Sequence, residues 1–391
     1  MLNQTRDPEQ LGLSAKGLAR TYGILDEAVT RGELMGASLQ VSRNGMALEP
    51  SCFGRRQLNP KGDRVTPETI FLVASVTKPI VVAAAMRLVE QGKVSLDDQV
   101  AEFIPEFANN GKQDVKVRHL MTHTSGLPDM LEENLSLRAE HAPLGVFVDR
   151  ICNVALLFSP GTKISYQSCG IAILGEIIKR MEGISIGTYL SRFFFSPLGL
   201  SNTTLGVMER QDNESDVRIK GRKCEYGGQE AKTWNWNSDY WRGFGAPWGG
   251  MLTTVEEMIV LCSVFLNGGR VGDVQVVSPA TVDSMTKDQT SYMPGLSDSD
   301  KLSRRWGLGW RIRDRASSTF GDLTSDETFG HEGATGTVVW MDPVTDLSCV
   351  FFTNDPEGAR SLRPRVANAL CSALHRLSRI TPRPGRLQRG C

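Results

Sequence analysis

The sequence predicts an α+β fold: one antiparallel sheet built from the first and last thirds of the chain, flanked by terminal helices, with a mostly helical region inserted between. Three observations carry this. Alternating apolar segments occur at 37–41 and 46–53, strand-like segments return at 307–312, 336–341 and 347–353, and the middle shows apolar residues at helical spacing. The expected lobes are a discontinuous sheet lobe, 1–70 with 245–377, a helical lobe, 71–244, and a basic tail, 378–391.

Leu18, Tyr22, Leu25 and Val29 recur at helical spacing and Gly32 supplies a stop. Asn44-Gly45 between two alternating runs predicts a hairpin. A helix opening in 71–80 should end at Gly92, and another should fill 95–103 before Pro105. The segment 115–121 reads as helix and runs into a loop, 122–128; 169–181 and 187–195 read as further helices.

Between 211 and 250 the pattern turns polar and glycine-rich while carrying Trp234, Trp236, Tyr240, Trp241, Phe244 and Trp248. Aromatics at that density predict a packed lid or pocket wall. Thr254 followed by Glu257 forms a capping-box pattern for a helix to 266, and a last amphipathic helix is expected over 362–377. The tail, with Arg379, Arg383, Arg386 and Arg389 among prolines and glycines, is expected to be disordered.

At 391 residues, 40% apolar and 23% charged, the chain has the composition of a soluble globular protein with a large core. Basic and acidic residues balance at 44 each, which argues against a nucleic-acid or anionic-membrane partner. No apolar run reaches the length of a membrane span and the N-terminus has no apolar leader core, so a cytoplasmic protein is expected. The 8 cysteines are scattered without a C-x-x-C pair, as buried thiols in a reducing compartment would be.

The segment 71–80 contains Ser75 and Lys78 in a Ser-x-x-Lys pair. On a helix, residues three apart share a face, which sets the amine beside the hydroxyl. Apolar neighbours on both sides favour an uncharged amine, and an uncharged amine can take a serine proton. The same pair also suits a helix cap followed by a solvated lysine. Pro79, directly after Lys78, places the helix start close to this point.

Two more stretches follow in order, Tyr166-Gln167-Ser168 and His331-Glu332-Gly333. With these the sequence resembles the serine β-lactamase and penicillin-recognising superfamily, in its class C-like branch of esterases, DD-peptidases, D-aminopeptidases and β-lactamase-related proteins. The likeness spans 18–377 and is supported by 119–128 and by Gly249-Gly-Met-Leu-Thr-Thr254.

The resemblance implies the β-lactamase/transpeptidase-like fold and a covalent mechanism. Ser75 attacks a carbonyl, Lys78 and Tyr166 share the base role in a division left open, and the backbone N–H groups of Ser75 and Ala334 form the oxyanion hole. Gly333 is expected to let substrate approach the strand, and Ser168 and His331 to contact it; separately from the resemblance, Trp248, the member of the aromatic group that abuts Gly249-Gly250, is expected to line part of the acyl or alcohol pocket, with core packing as the alternative.

Departures from the lactamase pattern bear on the substrate. Ser168 stands where an asparagine amide is usual and cannot offer both donor and acceptor. His331 stands where lysine is common, and an ordinary histidine is only partly charged at pH 7. Both favour a small-molecule acyl ester, and hence a carboxylesterase, over a lactam. β-Lactamase, DD-peptidase or D-aminopeptidase activity, acyl transfer at the same site, and a silent binding scaffold are the alternatives.

Other motifs read as structural. His119 and His123 lack the glutamate and third ligand of a zinc site, so no metal is expected. Gly183-x-Ser185-x-Gly187 matches a nucleophile elbow but follows a helix instead of a strand. Phosphate-binding glycine loops are missing, so no cofactor is expected. Oligomeric state is left open.

Overall fold

The computed structural model describes residues 2–59, 61–207, 209–218, 234–314 and 316–375. The tail expected at 378–391 and the stretch 219–233 of the aromatic segment lie outside the described residues. Among those described, no helix is long and apolar enough to cross a membrane.

The main sheet runs β1 (Asn3–Thr5), β3 (Met46–Leu48), β2 (Gly36–Arg43), β13 (Leu347–Thr353), β12 (Val338–Asp342), β11 (Phe329–Glu332), β10 (Arg311–Ile312), with β4 (Ser51–Gly54) also paired to β2. At its centre β2 (Gly36–Arg43) pairs antiparallel with β13 (Leu347–Thr353), from Leu347 opposite Arg43 to Thr353 opposite Ala37. The two ends of the chain therefore close one sheet. Asn44 and Gly45 take φ of 53° and 77°, the left-handed pair a two-residue hairpin needs, and turn β2 into β3 (Met46–Leu48).

The single run expected over 46–53 is instead two strands, β3 and β4 (Ser51–Gly54). Pro50 between them has no N–H for a ladder. β1 (Asn3–Thr5) lies parallel to β3 at one edge, and β12 (Val338–Asp342), β11 (Phe329–Glu332) and β10 (Arg311–Ile312) extend the other. A second sheet joins β5 (Phe71–Leu72) and β6 (Thr204–Leu205) to β7 (Met251–Thr253), and a small hairpin pairs β8 (Arg270–Val271) with β9 (Val274–Gln275).

Alternation along the central strands splits the core. Leu347, Cys349 and Phe351 face the terminal helices Ala15–Thr30 and Pro356–Cys371, while Val350 and Phe352 face the inserted region. On that second face lies Val255–Leu266, buried almost all round and capped by the Thr254 hydroxyl, which accepts from Glu257 N. The Glu257 carboxylate does not complete a capping box; it binds Asn202 N and the Thr203 hydroxyl.

The helical middle includes Thr77–Glu90 and Cys169–Glu182, packed on one another. Three sequence expectations need correction. Gly307 N bonds Trp310 O around left-handed Gly309, so 307–310 is a turn and only β10 remains of that strand. The helix expected over 95–103 is confined to Val100–Phe103. The last helix starts at Pro356, capped by Asp355, instead of near 362, because proline fits the first turn where no N–H is required.

Asp355 both caps that helix, accepting from Gly358 N, and pairs with Arg218 at 3.0 Å. Asp355→Ala is expected to lower stability by about 1–2 kcal/mol, the usual range for a lost cap. Urea unfolding measures this; an unchanged midpoint would rule out the capping account.

Candidate active site

Ser75 leaves a sharp, heavily tethered bend. β5 ends at Leu72, residues Ala74–Val76 form a 3-10 turn, and the helix Thr77–Glu90 begins at once. Ala74 sits at φ 46°, a strained position for a residue with a Cβ, which the surroundings must hold. Thr77 Oγ1 donates to Ala74 O at 2.6 Å and accepts from Met251 N. Thr335 and Thr337 donate to the carbonyls of Leu72 and Val73 at 2.6 and 2.9 Å.

Pro79 is the third residue of its helix, within the turn whose N–H groups have no helical acceptor. It therefore disturbs nothing. Lys78 Nζ turns back to donate to Ser75 Oγ at 2.9 Å and to Trp248 O at 2.8 Å.

Lys78 is 1% exposed, and both of its hydrogen-bond acceptors are uncharged. Burial lowers its pKa to about 7 against a smaller opposing pull from Asp129. Its Nζ lies 4.8 Å from the centre of the Tyr166 ring. Burial raises the phenol well above the ordinary tyrosine value, while a hydrogen bond with Ser75 counteracts part of the shift. Near neutrality the amine can exist uncharged while the phenol keeps its proton.

The loop 122–128 holds Tyr166 in place. His123, at φ 59° and 1% exposed, accepts Gln167 N at its Nδ1, and its ring packs 4.7 Å from that of Tyr166 and 4.3 Å from that of Trp306. His119 accepts Lys116 N instead. The two histidines thus serve separate backbone contacts.

His331 lies on β11, 3% exposed, with Nδ1 2.8 Å from Glu332 O. That contact places the proton on Nδ1 and leaves Nε2 as an acceptor, which has no hydrogen-bond partner. Burial, then Lys78, lowers its pKa to about 3. The ring is uncharged at pH 7, where the sequence predicted partial charge.

Gly333 is dictated by packing more than by substrate approach. A Cβ there would collide with Val73 O and Thr337 Oγ1, so only glycine lets the end of β11 press on the Ser75 segment. Arg363 fixes the same turn, donating to Gly333 O at 2.7 Å and to Glu332 at 2.6 Å. The N–H groups of Ser75 and Ala334 donate to no described residue and are free for a ligand oxygen.

Ser75, Tyr166, His331, Gly333 and Ala334 line one cleft of about 1060 Å³. Two expected substrate contacts lie elsewhere. Ser168 is buried and donates to Asp129 at 2.8 Å. The Trp248 ring packs against Phe147 and Phe244 at 6.2 and 5.6 Å, so its carbonyl, not its indole, reaches the site. From the aromatic segment it is Trp236 that lines the cleft, joined by Trp306, which no sequence pattern singled out. Ser185 caps the helix Ile186–Leu190 and is absent from the cleft.

Two outcomes follow from this geometry. If Lys78 takes the Ser75 proton, the rate of Ser75 modification by a fluorophosphonate should rise with pH through about 7 and then level off. Lys78→Met should slow it by about a hundredfold or more, the usual scale for losing a base. A pH-independent rate would exclude Lys78.

The same burial sets a stability signature. Below about 7 the folded chain carries a buried charge and the penalty is complete; it fades as pH rises toward the ordinary lysine range. Lys78→Met should therefore raise the unfolding free energy most at the acid end, read by urea titration at several pH values. For the aromatics, Trp236→Ala should alter ester chain-length preference, whereas Trp248→Ala should chiefly cost stability, about 3 kcal/mol or more. Identical effects of the two would refute the assignment.

The profile of the Beta-lactamase family matches residues 23–373. A protein of Escherichia coli (strain K12) carrying the name "Putative D-alanyl-D-alanine carboxypeptidase" is 28% identical over 317 residues, covering 75% of this chain and 70% of that protein. Among solved structures, EstCE1, described as a hydrolase with promiscuous acyltransferase activity, superposes with TM-score 0.75 at 22% identity over 92% of this chain and 99% of its own. A family VIII carboxylesterase gives 0.72 at 20% identity over 93% and 99%. These two likenesses establish the fold, and the match over most of its length establishes that the chain belongs to the Beta-lactamase family of serine hydrolases.

Proposed function

We propose that this serine hydrolase is a carboxylesterase acting on small acyl esters through an acyl-enzyme on Ser75. The observation that carries the reading is the buried amine of Lys78, 2.9 Å from Ser75 Oγ and able to lose its proton near pH 7. In this reading neutral Lys78 takes the Ser75 proton as Oγ attacks the ester carbonyl. The N–H groups of Ser75 and Ala334 hold the oxyanion, and the Tyr166 phenol protonates the departing alkoxide and is reprotonated from the Lys78 ammonium. Water then attacks the acyl carbonyl, giving a proton to the same pair, which returns it to Ser75 Oγ as the acyl C–Oγ bond breaks and the acid is released.

Two features favour an ester. His331 is uncharged, so the third motif offers no fixed cation, and Ser168 is committed to Asp129 instead of to a substrate amide. The name of the E. coli relative keeps hydrolysis of D-alanyl peptides as the second reading. The acyltransferase activity ascribed to EstCE1 keeps acyl transfer as a variant in which an alcohol replaces water.

A panel of short nitrophenyl esters, a chromogenic cephalosporin and a D-alanyl nitroanilide tests the choice. Esters should be preferred by about a hundredfold or more, within the range a mismatched polar site can impose. Ser75→Ala should abolish turnover. Preference for the anilide or the cephalosporin would replace the carboxylesterase reading, and an unlabelled Ser75 would make the fold a binding scaffold.

A further inference from the structure

The aromatic segment is fastened to the helical region at a buried cation. Arg138, on the short helix Asn134–Ala139, is 3% exposed, and its guanidinium lies over two indole rings at once, 4.8 Å from the centre of Trp234 and 4.6 Å from that of Trp241. Its Nη2 approaches Met130 Sδ at 3.8 Å, its Nε has no hydrogen-bond partner, and no carboxylate among the described residues forms an ion pair with it. Burial lowers its pKa only to about 10, so the group is charged at pH 7.

Burying a cation without a carboxylate is costly, and a methionine would fill the same space without that cost. What the guanidinium adds is orientation. Its plane can present a face to both rings, which stand 5.7 Å apart at 35°, and attraction to each ring face favours one arrangement of the pair.

The two rings are the feet of a turn. Between them run residues 235–238, where the Ser238 hydroxyl donates to Asn235 O at 2.6 Å and Asn235 Oδ1 accepts from Asn237 N at 2.8 Å. Trp236 stands within this turn and lines the cleft with Ser75, whereas Arg138, Trp234 and Trp241 are not among the lining residues. A second tie holds the same element: Tyr240 donates to Ala142 O at 2.9 Å and stacks on His141 at 4.5 Å. Asn237 keeps the turn attached to Val217 N and O at 2.7 and 3.0 Å, so removing the cation loosens the turn without releasing it.

We propose that Arg138 is a positioning residue for the cleft wall: its grip on Trp234 and Trp241 sets the angle at which Trp236 enters the cleft. The inference rests on the carboxylesterase reading for its substrate and adds a determinant of chain-length selectivity that lies outside the cleft.

The test is a double-mutant cycle on kcat/KM for nitrophenyl octanoate against nitrophenyl acetate. Arg138→Met should shift that ratio by about tenfold, the low end of what one methylene contributes in an apolar pocket, and in the same direction as Trp236→Ala. The double variant should go no further than Trp236→Ala alone. Arg138→Lys, which keeps the charge but loses the planar face, should fall between the parent and Arg138→Met. If Arg138→Met does not fold, Trp234→Leu, which removes one of the gripping rings from outside the cleft, should show the same shift.

Labelling of Ser75 by ethyl and octyl fluorophosphonates reads the same selectivity without ester turnover. An unchanged ratio in folded Arg138→Met, or shifts that add in the double variant, would overturn the inference while leaving the esterase reading intact. Esters left untouched while fluorophosphonate selectivity still shifts with Arg138 would instead overturn the esterase reading and support the positioning role. An unlabelled Ser75 would overturn both.

Discussion

Removing an amine from water without giving it a carboxylate is costly, and much of this molecule serves to make that cost useful. Lys78 is held between two neutral acceptors, Ser75 Oγ and Trp248 O, in a site where burial outweighs the pull of Asp129. A carboxylate at bonding distance would restore the charge and, in the proposed mechanism, remove the base. The alternative the structure adopts, burial with no carboxylate at bonding distance, brings the pKa to about 7.

Holding that arrangement requires the Ser75 segment to be fixed from three sides. The Thr77 hydroxyl locks the strained Ala74, Thr335 and Thr337 tie the preceding carbonyls to the end of the main sheet, and Met251 N on β7 reaches the same Thr77. Gly333 is the joint where sheet and helix meet, since any side chain would separate them. The pairing of β2 with β13 brings the third motif to that joint from the far end of the chain. Strain at Ala74 is thus supported by packing distributed over residues far apart in sequence.

Much of this was legible beforehand, for identifiable reasons. The hairpin at Asn44-Gly45 and the helix Cys169–Glu182 follow from turn chemistry and 3.6-residue spacing, which act within a few neighbours. The Ser75–Lys78 contact was legible too, because it spans one turn. β11 was not: Phe329-Gly-His-Glu lacks a strand's alternation and is a strand because β10 and β12 pair with it. Ser168 and Trp248 went astray for a related reason, because proximity to a motif does not fix where a side chain points.

What the sequence by itself determined is the inventory: an α+β fold closed by its two ends, a serine and a lysine one turn apart, and a tyrosine and a histidine in order behind them. What only the tertiary structure decided is their charge and company. Lys78 can lose its proton near pH 7 because the fold buries it, His331 is uncharged because burial and the nearby Lys78 disfavour its cation, and His123 and Trp306 back Tyr166 because 123, 166 and 306 converge. Desolvation depends on every atom within several ångströms, and those atoms come from segments hundreds of residues apart in the chain, beyond the reach of any local pattern.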